Sequence, residues 1–535
     1  MKRNLNAISN EFFDLIVIGG GIIGAGVARD AALRGLSVLL IEKEDFACGT
    51  TSRSTRLIHG GLRYLRTLDF KLVKQDLNER EILLKIAPHL VHRLEFVIPL
   101  LKTEPFYRLS LPLGLWLYNR FSHGASLPST YHLSAKETVD LEPSLENTDG
   151  LVGAYLYYDA QVAYAERLCI ENLTDAAARG ALIINHAPVT GLVFKDNILS
   201  GVQIKDELSG EDFQVKGRII LNATGPWTDT ILHQFEAGHT YTIRKTKGVH
   251  LLTDKISNNA LVLFAKSDGR LCFVIPWLDH TLVGTTDTDY NGNLDEVYAD
   301  KSDVDYLVSE LGHYFPNFKR ENIHSTYASL RPLVPKKNKS ASDNSRAHRL
   351  VDHEQQDGIK GLISILGGKN TAYRGISEEA VNLIIKKLGK NEVCTTAQTL
   401  LPGAPAVIPA ELEKTARASG LPIATVTHLA YIYGSRMGEV LKYINEDKRL
   451  SIPISDGGLD ILAQIKHAVH EEEALSVSDF MLRRSLIGLR PDQGLDAVDT
   501  VAREMAALLG WNLNQVQKQS TDFRSTMALG QLYKQ

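Results

Sequence analysis

The spacing of hydrophobic residues at the start of the chain predicts a parallel sheet. Residues 15–18 form a continuous apolar run that enters a stretch of glycines, residues 22–33 carry Ala and Val at helical spacing, and residues 37–41 form a second apolar run. Two buried strands joined by a helix make a βαβ unit, whose strands are parallel. The chain therefore opens with an α/β element.

Short β-rich runs from about residue 150 to residue 345 alternate with turn signals such as Asp268-Gly269 and Asn291-Gly292. This alternation is typical of an antiparallel sheet. Residues 219–221 and 361–366 are again mainly apolar runs that lead into glycine, as buried strands of a parallel sheet do. We therefore expect the first domain to collect its strands from distant parts of the chain.

The chain is long enough for three domains, because single cores stop growing at roughly 250–300 residues and the chain has 535. After residue 396 the pattern changes to helical segments at 423–433, 461–473 and 495–509. The predicted class is α/β plus α+β, with a Rossmann-like first domain, an antiparallel-sheet domain that binds substrate, and a helical C-terminal domain. The predicted boundaries are 1–95, 150–235 and 345–395 for the first domain, 96–149 and 236–344 for the second, and 396–535 for the third.

Composition and charge exclude several classes of function. Lys and Arg total 59 against 63 acidic residues, a net charge of -4, so no global basic field draws the chain to nucleic acid. Four cysteines without a Cys-x-x-Cys pair favour a reducing compartment and argue against a cysteine-built zinc site. Residues 287–292 match the start of a calcium loop, but Tyr298 stands where a bidentate Glu is required. No metal is expected.

The hydrophobic segments are too short to cross a membrane. No run of 18 or more apolar residues occurs, and the nearest candidate, 109–118, contains Pro112. The apolar segment 111–118 has two interpretations: it packs as a buried part of the second domain, or it enters a membrane surface without crossing it.

A glycine-rich turn follows the first predicted strand. Residues 19–24 read GGGIIG, which fits G-x-G-x-x-G between a strand and a helix, and Glu42 ends the second strand 18 residues past Gly24. Glycines let backbone N–H groups at a helix N-terminus approach a pyrophosphate, and a carboxylate on the second strand accepts from ribose hydroxyls. Gly19, Gly21, Gly24 and Glu42 are therefore predicted to bind a dinucleotide, and the motif alone does not distinguish FAD from NAD.

The loop after the second strand carries groups that suit a flavin dinucleotide. Hydroxyls in this loop can continue along the pyrophosphate, and paired glycines let a flat ring system lie against the backbone. The predicted contacts are Thr51, Ser52, Ser54, Gly60 and Gly61.

A second glycine turn follows the predicted strand at 361–366. It reads Gly367-Gly368-Lys369-Asn370-Thr371, and a helix is predicted to begin near Ile376. The Walker pattern is broken, because Ile363 and Asn370 stand where Gly and Ser or Thr are required. We expect this turn instead to aim Lys369 and a helix N-terminus at the flavin, where they would stabilise negative charge.

Eight segments together resemble one family, the FAD-dependent glycerol-3-phosphate dehydrogenases. They are residues 14–22 (DLIVIGGGI), 57–65 (LIHGGLRYL), 222–227 (NATGPW), 247–250 (KGVH), 284–287 (GTTD), 330–333 (LRPL), 367–369 (GGK) and 478–484 (SDFMLRR). The resemblance covers nearly the whole chain, in order. It implies FAD as the cofactor, a fold of the D-amino-acid-oxidase type, and Gly225 as a further FAD-binding residue.

The resemblance also implies the reaction: sn-glycerol 3-phosphate is oxidised to dihydroxyacetone phosphate with hydride transfer to FAD. Arg63 and Arg331 resemble the family's phosphate-side arginines, and a guanidinium fork suits a phosphate dianion. Tyr64 is predicted to donate a hydrogen bond to the substrate, and Lys369 to serve either the substrate or the flavin.

Two histidines are candidates for the base that accepts the hydroxyl proton. His59 is the first choice, because it adjoins Gly60-Gly61 and a near-neutral imidazole can accept a proton at working pH. An alternative role for His59 is to pack against the ring. His250 is the second choice as base and is predicted to contact the substrate.

The chain lacks the long mid-chain insertion of relatives that act as oxidases and the calcium-binding extension of mitochondrial relatives. This favours a bacterial dehydrogenase, peripheral on the cytoplasmic face of a membrane, that passes electrons to quinone. The alternatives are an oxidase that reduces O2 to H2O2 and a flavin-binding membrane scaffold without catalysis. A homodimer is a further candidate assembly. The basic run at 336–349 is either a solvated loop or a guide for an anionic substrate.

Overall fold

The structure is a computed structural model that describes residues 1, 3–65, 69–103, 105–122, 126–196, 198–233, 243–334 and 348–534. The side chains of Asn6, Arg63, Pro105 and Phe106 also lie outside the described part.

Strands and helices are interspersed up to residue 387, and helices follow from residue 409. The strands are β1 (Phe12–Ile18), β2 (Val38–Ile41), β3 (Leu57–Ile58), β4 (Val91–Leu101), β5 (Tyr131–Ser134), β6 (Leu151–Val162), β7 (Leu182–Ile184), β8 (Val189–Lys195), β9 (Ile198–Lys205), β10 (Asp212–Asn222), β11 (Arg244–Thr253), β12 (Ala260–Phe264), β13 (Leu271–Trp277), β14 (His280–Gly284), β15 (Thr288–Asp289), β16 (Ile323–Leu333), β17 (Arg349–Asp352) and β18 (Leu362–Leu366). The α-helices are α1 (Leu5–Asn10), α2 (Ile22–Leu33), α3 (Phe70–Ile86), α4 (Pro105–Phe121), α5 (Ala135–Leu141), α6 (Ala165–Ala178), α7 (Thr228–Leu232), α8 (Lys301–Gly312), α9 (His353–Gln356), α10 (Tyr373–Lys387), α11 (Pro409–Ser419), α12 (Ile423–Tyr433), α13 (Met437–Glu446), α14 (Leu462–Glu472), α15 (Val477–Arg483), α16 (Val498–Leu509) and α17 (Leu513–Ala528). Short 3-10 helices lie at Leu62–Leu65, Pro143–Leu145, Gly225–Trp227, Arg320–Asn322, Asn370–Ala372, Gly434–Arg436, Lys448–Ser451, Ile487–Leu489 and Leu529–Lys534.

The first sheet has β1 near its centre, in the order β17-β18-β10-β1-β2-β7, with β9 and β8 continuing from β10. β1 is parallel to both of its neighbours, and Leu15 stands opposite Ile219 on β10 and Val38 on β2. β18 is parallel to β10, and β17 closes that edge antiparallel. The predicted parallel sheet, assembled from distant strands, is therefore confirmed.

Helices α2, α6 and α10 cover one face of this sheet. Their apolar residues share one core with Leu15 and Val17 of β1, whereas Ile16 and Ile18 point to the core on the other face, because successive strand residues face opposite sides. Small residues bring the helices close: a Cβ at Gly26 of α2 would lie 2.5 Å from the Ser377 hydroxyl of α10. α10 begins at Tyr373, three residues before the predicted start near Ile376, because the 3-10 turn at Asn370–Ala372 leads directly into it.

The second sheet has the order β15-β11-β14-β13-β12-β4-β6-β3, with β16 paired to β11 and β5 to β6. Its pairs are antiparallel apart from β4 and β12, which run parallel. Helix α8 packs on one face, through Val304, Leu307 and Leu311, and helices α3 and α4 pack on the other.

Residues 57–58 and 151–162 fall in the segments predicted for the first domain, and their strands β3 and β6 pair within this second sheet. The hydrophobic pattern of a buried strand does not say which of two sheets it joins. The domain boundaries themselves stay predictions.

Helices α11 to α17 form the predicted helical C-terminal domain around their own core, which includes Val426, Val440, Ile465, Val501 and Phe523. The segment predicted at 423–433 is α12, and the segments at 461–473 and 495–509 correspond to α14 and α16, whose bounds differ by one to three residues. Among the residues that the structure describes, no helix combines the length and the apolar character needed to cross a bilayer.

Candidate active site

A cleft of about 430 Å³ opens at the carboxyl ends of four parallel strands of the first sheet. It is lined by the residues that follow β1, β2, β10 and β18, among them Gly19, Glu42, Ala223 and Gly367. Open α/β sheets bind ligands in the crevice outside the carboxyl ends of their strands. The cleft therefore occupies the expected position for a dinucleotide.

The first glycine turn has a backbone that only glycine can adopt. Gly19 has φ +110°, and a Cβ at Gly24 would lie 2.0 Å from the Gly19 carbonyl oxygen. Gly21 is the N-cap of α2, and the Ile22 N–H donates to the Thr51 hydroxyl at 3.1 Å. This close approach of strand and helix leaves backbone at the helix N-terminus facing the cleft, as pyrophosphate binding requires.

Glu42 lies at the end of β2 and lines the same cleft. Its carboxylate accepts from the N–H of Gly20 at 2.6 Å and from the N–H of Glu44 at 3.0 Å. Burial raises the pKa of Glu42. A carboxylate oxygen has two lone pairs, so each oxygen can accept one further hydrogen bond from a ribose hydroxyl.

The predicted hydroxyl contacts divide into three roles. Thr51 lines the cleft. Ser52 Oγ donates to the carbonyl oxygens of Cys48 and Gly49, which holds the loop's own turn. Ser54 Oγ accepts from Asn370 Nδ2 at 3.0 Å, so it joins this loop to the second glycine turn.

The turns at 59–61 and 367–371, which the sequence predicts to lie against the flavin, are called the platform loops. They meet through Thr371. The His59 N–H donates to Thr371 Oγ1 at 3.2 Å, which brings the turn at 59–61 against the turn at 367–371. Gly61, Gly367 and Gly368 all have positive φ, of +71°, +74° and +109°. The two glycine-rich turns that the sequence predicts to approach the flavin therefore lie against each other.

Lys369 is held by a carboxylate that the sequence did not single out. Its ammonium forms an ion pair with Asp76 of α3 and lies 4.7 Å from the centre of the Tyr64 ring. Burial raises the pKa of Asp76 to about 7, although the Lys369 charge acts to lower it. The Asp76 carboxyl therefore titrates near neutral pH, beside the two platform loops.

Tyr118 and Asp159, which the sequence analysis did not single out, support the backbone at Gly60. The Gly60 N–H donates to the Tyr118 hydroxyl at 2.8 Å, Tyr118 donates to Asp159 at 2.6 Å, and Asp159 also accepts from Arg80 at 2.7 Å. Burial raises the pKa of Asp159, and Arg80 counteracts that shift. These residues come from α3, α4 and β6, so no local motif could reveal them.

The two predicted histidines both lie at the second sheet, His59 beside β13 and His250 on β11, with β14 between these strands. The His59 ring is 6.1 Å from the Phe273 ring on β13, and Phe273 pairs with Gly284, which in turn pairs with His250 on β11. His250 Nε2 is 2.9 Å from Thr55 Oγ1. Burial, with the charges of Arg331 and Arg56, lowers the pKa of His250 to about 3, so this imidazole is neutral at working pH.

Arg331 extends from β16 across Gly248 of β11, where a Cβ would lie 2.2 Å from its guanidinium. It donates to Thr285 Oγ1 at 2.7 Å, and to the Thr286 carbonyl oxygen and Asp287 Oδ1 at 3.0 Å each. The segment 284–287 therefore fixes the fork, and the same guanidinium lowers the pKa of His250.

Some predicted residues are only partly described. The Arg63 backbone lies in the 3-10 helix at Leu62–Leu65, but its side chain lies outside the described part. Gly225 has φ +57° and lines the cleft. The basic run lies outside the described residues up to 347, and its last member, Arg349, donates to Gln356. Among the described residues, no cluster of three or more His, Cys, Asp or Glu side chains is arranged to hold a metal.

The fold and the cleft together define a dinucleotide-dependent oxidoreductase of the D-amino-acid-oxidase type. A model of the family described as FAD dependent oxidoreductase matches residues 14–374, and a model described as the C-terminal domain of alpha-glycerophosphate oxidase matches residues 394–516. A glycerol-3-phosphate dehydrogenase of Synechocystis is 39% identical over 98% of this chain and 98% of its own. An aerobic glycerol-3-phosphate dehydrogenase of Staphylococcus haemolyticus is 34% identical over 96% of this chain and 94% of its own.

The solved structure of the glycerol-3-phosphate dehydrogenase from Bacillus halodurans, complexed with FAD, superposes with a TM-score of 0.80 at 29% identity and covers 98% of this chain and 96% of its own. The chain belongs to the FAD-dependent glycerol-3-phosphate dehydrogenase family. The predictions of the family, the fold class and FAD as the cofactor are confirmed.

Proposed function

We propose that this protein oxidises sn-glycerol 3-phosphate to dihydroxyacetone phosphate, with FAD as the hydride acceptor. Relatives with 34–39% identity over nearly the whole chain carry the name of that activity. The observation that carries the proposal is that two histidines and an arginine lie beside the loop after β2 and the second glycine turn. The His59 backbone N–H donates to Thr371, His250 contacts Thr55, and the charge of Arg331 lowers the pKa of His250.

The residues divide the work of binding and proton transfer. Arg331 binds the substrate phosphate, because two N–H groups of one rigid fork match two phosphate oxygens. His59 takes the hydroxyl proton. His250 is unsuited to that role, since a group whose pKa is about 3 is a weak proton acceptor at neutral pH. His250 therefore orients Thr55 and the substrate.

The Lys369–Asp76 pair serves the flavin side of the site. Bound beside these residues, FAD would supply the hydride acceptor and, on reduction, a negative charge. Lys369 supplies a nearby positive charge, and Asp76 holds that ammonium in place. Tyr64 lies between this pair and Gly61, whose missing Cβ makes room for the Tyr64 ring.

Anaerobic addition of glycerol 3-phosphate to the FAD-loaded protein tests the proposal. We expect the visible flavin absorption to bleach with one equivalent of substrate, and glycerol without phosphate to leave it unchanged. A yellow protein that glycerol 3-phosphate does not bleach would disprove the substrate. Subsequent addition of air or of a quinone distinguishes the acceptors: fast stoichiometric H2O2 favours the oxidase, and reoxidation by quinone alone favours the dehydrogenase.

We further propose quinone as the acceptor and helix α4 as the part of the protein that meets the membrane. Leu109, Leu113 and Trp116 are 83%, 63% and 61% exposed and recur at helical spacing on one face. Leu111, Leu115 and Tyr118 on the other face are buried against the second sheet. An amphipathic helix with exposed Leu and Trp suits a membrane interface. One face of α4 is buried in the protein and the other is free to enter a membrane surface, so both interpretations of the segment 111–118 apply.

Charge supports an anionic lipid surface as the occupant of this face. The exposed ionisable residues of α4 are Arg108 and Arg120, and the adjacent helix α3 exposes Lys71 and Lys74. Basic side chains beside an apolar helix face attract anionic headgroups. The buried face of the same helix contacts Gly60 through Tyr118, so a membrane on the exposed face would lie close to the proposed flavin site. The cytoplasmic location and the homodimer stay predictions.

Replacement of Leu113 and Trp116 by Ser is expected to weaken binding to anionic vesicles by about tenfold or more, because each large apolar side chain contributes roughly 1.5–3 kcal/mol on burial. Co-sedimentation with vesicles of phosphatidylglycerol and phosphatidylcholine measures it. Leu513→Ser, at an 87% exposed position on α17, is the matched control. Equal losses in both variants, or binding that the double replacement leaves unchanged, would rule out α4 as the contact.

A further inference from the structure

The C-terminal segment at 478–484, which takes part in the resemblance to the family, has no role in the proposed chemistry. It lies on α15 of the helical domain and its C-cap, and its last two residues, Arg483 and Arg484, are 8% and 0% exposed. Such burial of two adjacent guanidinium groups requires close acidic partners. The partner that they share directly follows Glu44, a residue of the cleft lining.

Both arginines bind Asp45, which follows the cleft residue Glu42 by three positions. Arg484 donates to Asp45 through Nη1 at 3.0 Å and Nη2 at 2.8 Å, and Arg483 donates through Nε. Asn185 Nδ2 adds a fourth donor at 2.9 Å. The Asp45 side chain is fully buried, so this carboxylate is fixed from four directions.

The Asp45 carboxylate and its donors Arg483, Arg484 and Asn185 are called the clamp. The clamp is connected to the first glycine turn through the residues that follow Asp45. Phe46, the next residue, is fully buried, and a Cβ at Gly20 would lie 2.9 Å from its ring. The Ala47 N–H donates to the Gly20 carbonyl oxygen at 3.0 Å. Residues 42–49 are called the ribose wall, because Glu42 stands where a ribose would bind. They therefore connect α15 to the glycine turn that approaches the pyrophosphate.

The same helix also contacts the segment 186–188, which adjoins the ribose wall. Asp479 of α15 is 2.8 Å from His186 Nε2, and burial acts to raise the pKa of Asp479, but His186 and both arginines lower it. The His186 N–H donates to the Glu44 carbonyl oxygen at 2.7 Å, and the next residues, Ala187 and Pro188, line the cleft. The segment 479–484 thus contacts the ribose wall and the segment 186–188 that is hydrogen-bonded to it.

We propose that Arg483, Arg484 and Asp479 are positioning residues for FAD: the helical domain holds the ribose wall and the adjoining segment 186–188 in the position that the adenosine half of the cofactor needs. The residues act through Asp45 and His186 and do not reach the flavin ring. The inference rests on the FAD-binding family and holds whichever substrate the enzyme oxidises. It gives the helical domain a role in cofactor retention.

Titration of apoprotein with FAD, followed by flavin fluorescence quenching, tests the proposal. Arg483→Gln keeps Asp45 paired to Arg484 and Asn185, so the fold is maintained while the ion pair between Arg483 and Asp45 is lost. We expect the FAD dissociation constant to rise about tenfold, and Arg483→Lys to recover part of the affinity because it keeps the charge. Turnover at saturating FAD should stay unchanged, since the ring side is untouched.

Arg490→Gln is the matched control, because Arg490 is also ion-paired in the helical domain but binds Asp492, Asp496 and Ser455, away from the cleft. Thermal unfolding of each apoprotein reports general stability. An unchanged dissociation constant in Arg483→Gln, or equal weakening in Arg490→Gln, would overturn the proposal. His186→Gln, which loosens the contact of the adjoining segment with Asp479, is the second variant. We expect weaker FAD binding from it as well, and wild-type affinity would count against the proposal even if Arg483→Gln failed to fold.

Discussion

Arg331→Ala will lower kcat/KM for glycerol 3-phosphate by about 100- to 10,000-fold, with FAD content unchanged. Each charge-assisted hydrogen bond from the fork is worth roughly 1.5–3 kcal/mol, and two are lost together. The loss will appear mainly as a higher KM, because the phosphate is remote from the bond that breaks. Steady-state kinetics with an artificial acceptor, alongside the flavin absorbance of each variant, measure both quantities.

Arg244→Ala is the matched control for this prediction. Arg244 lies on β11 of the same sheet, but it is more exposed and forms a two-pronged ion pair with Asp289 at the surface. Its removal should leave kcat/KM within about twofold of wild type, since surface ion pairs contribute little. Wild-type kinetics in Arg331→Ala, or a similar defect in both variants, would remove Arg331 from the substrate site.

Gly24→Ala is expected to abolish stable FAD binding. Its new Cβ would lie 2.0 Å from the Gly19 carbonyl oxygen, which is backbone and cannot rotate away. The helix N-terminus must then move from the strand, and with it the N–H groups that approach the pyrophosphate. We expect the affinity for FAD to fall by about 100-fold or more. The ratio of flavin to protein absorbance after gel filtration measures retention.

The control is Gly312→Ala at the end of α8, where the new Cβ would meet no atom within 4 Å. This variant should purify with as much FAD as wild type. If Gly24→Ala also retained FAD at wild-type affinity, the first glycine turn would not be the pyrophosphate site.

The local parts of the site could be predicted because their causes are local. The turn at 19–24 needs glycine wherever it occurs, since Gly19 has a positive φ and Gly24 has no room for a side chain. The same reasoning located the turn at 367–368. A strand, a glycine turn and a helix are contiguous in sequence, so their pattern survives without knowledge of the fold.

The partners of the predicted residues could not be found in this way. Asp76 lies 293 residues from Lys369, and Asp45 lies 439 residues from Arg484. Nothing in the sequence around either acid distinguishes it from a surface carboxylate. The choice between His59 and His250 as base also depends on burial, which only packing creates.

Short-range spacing and contiguous motifs were enough to predict the βαβ opening, the two glycine turns, the helical C-terminal region and the FAD-dependent family. Four features needed the folded chain: β3 and β6 join the second sheet, His250 is neutral, Asp76 holds Lys369, and Arg484 beside α15 binds Asp45. Those features arise from contacts between residues hundreds of positions apart and from the low dielectric of the packed interior, which sets charge and pKa.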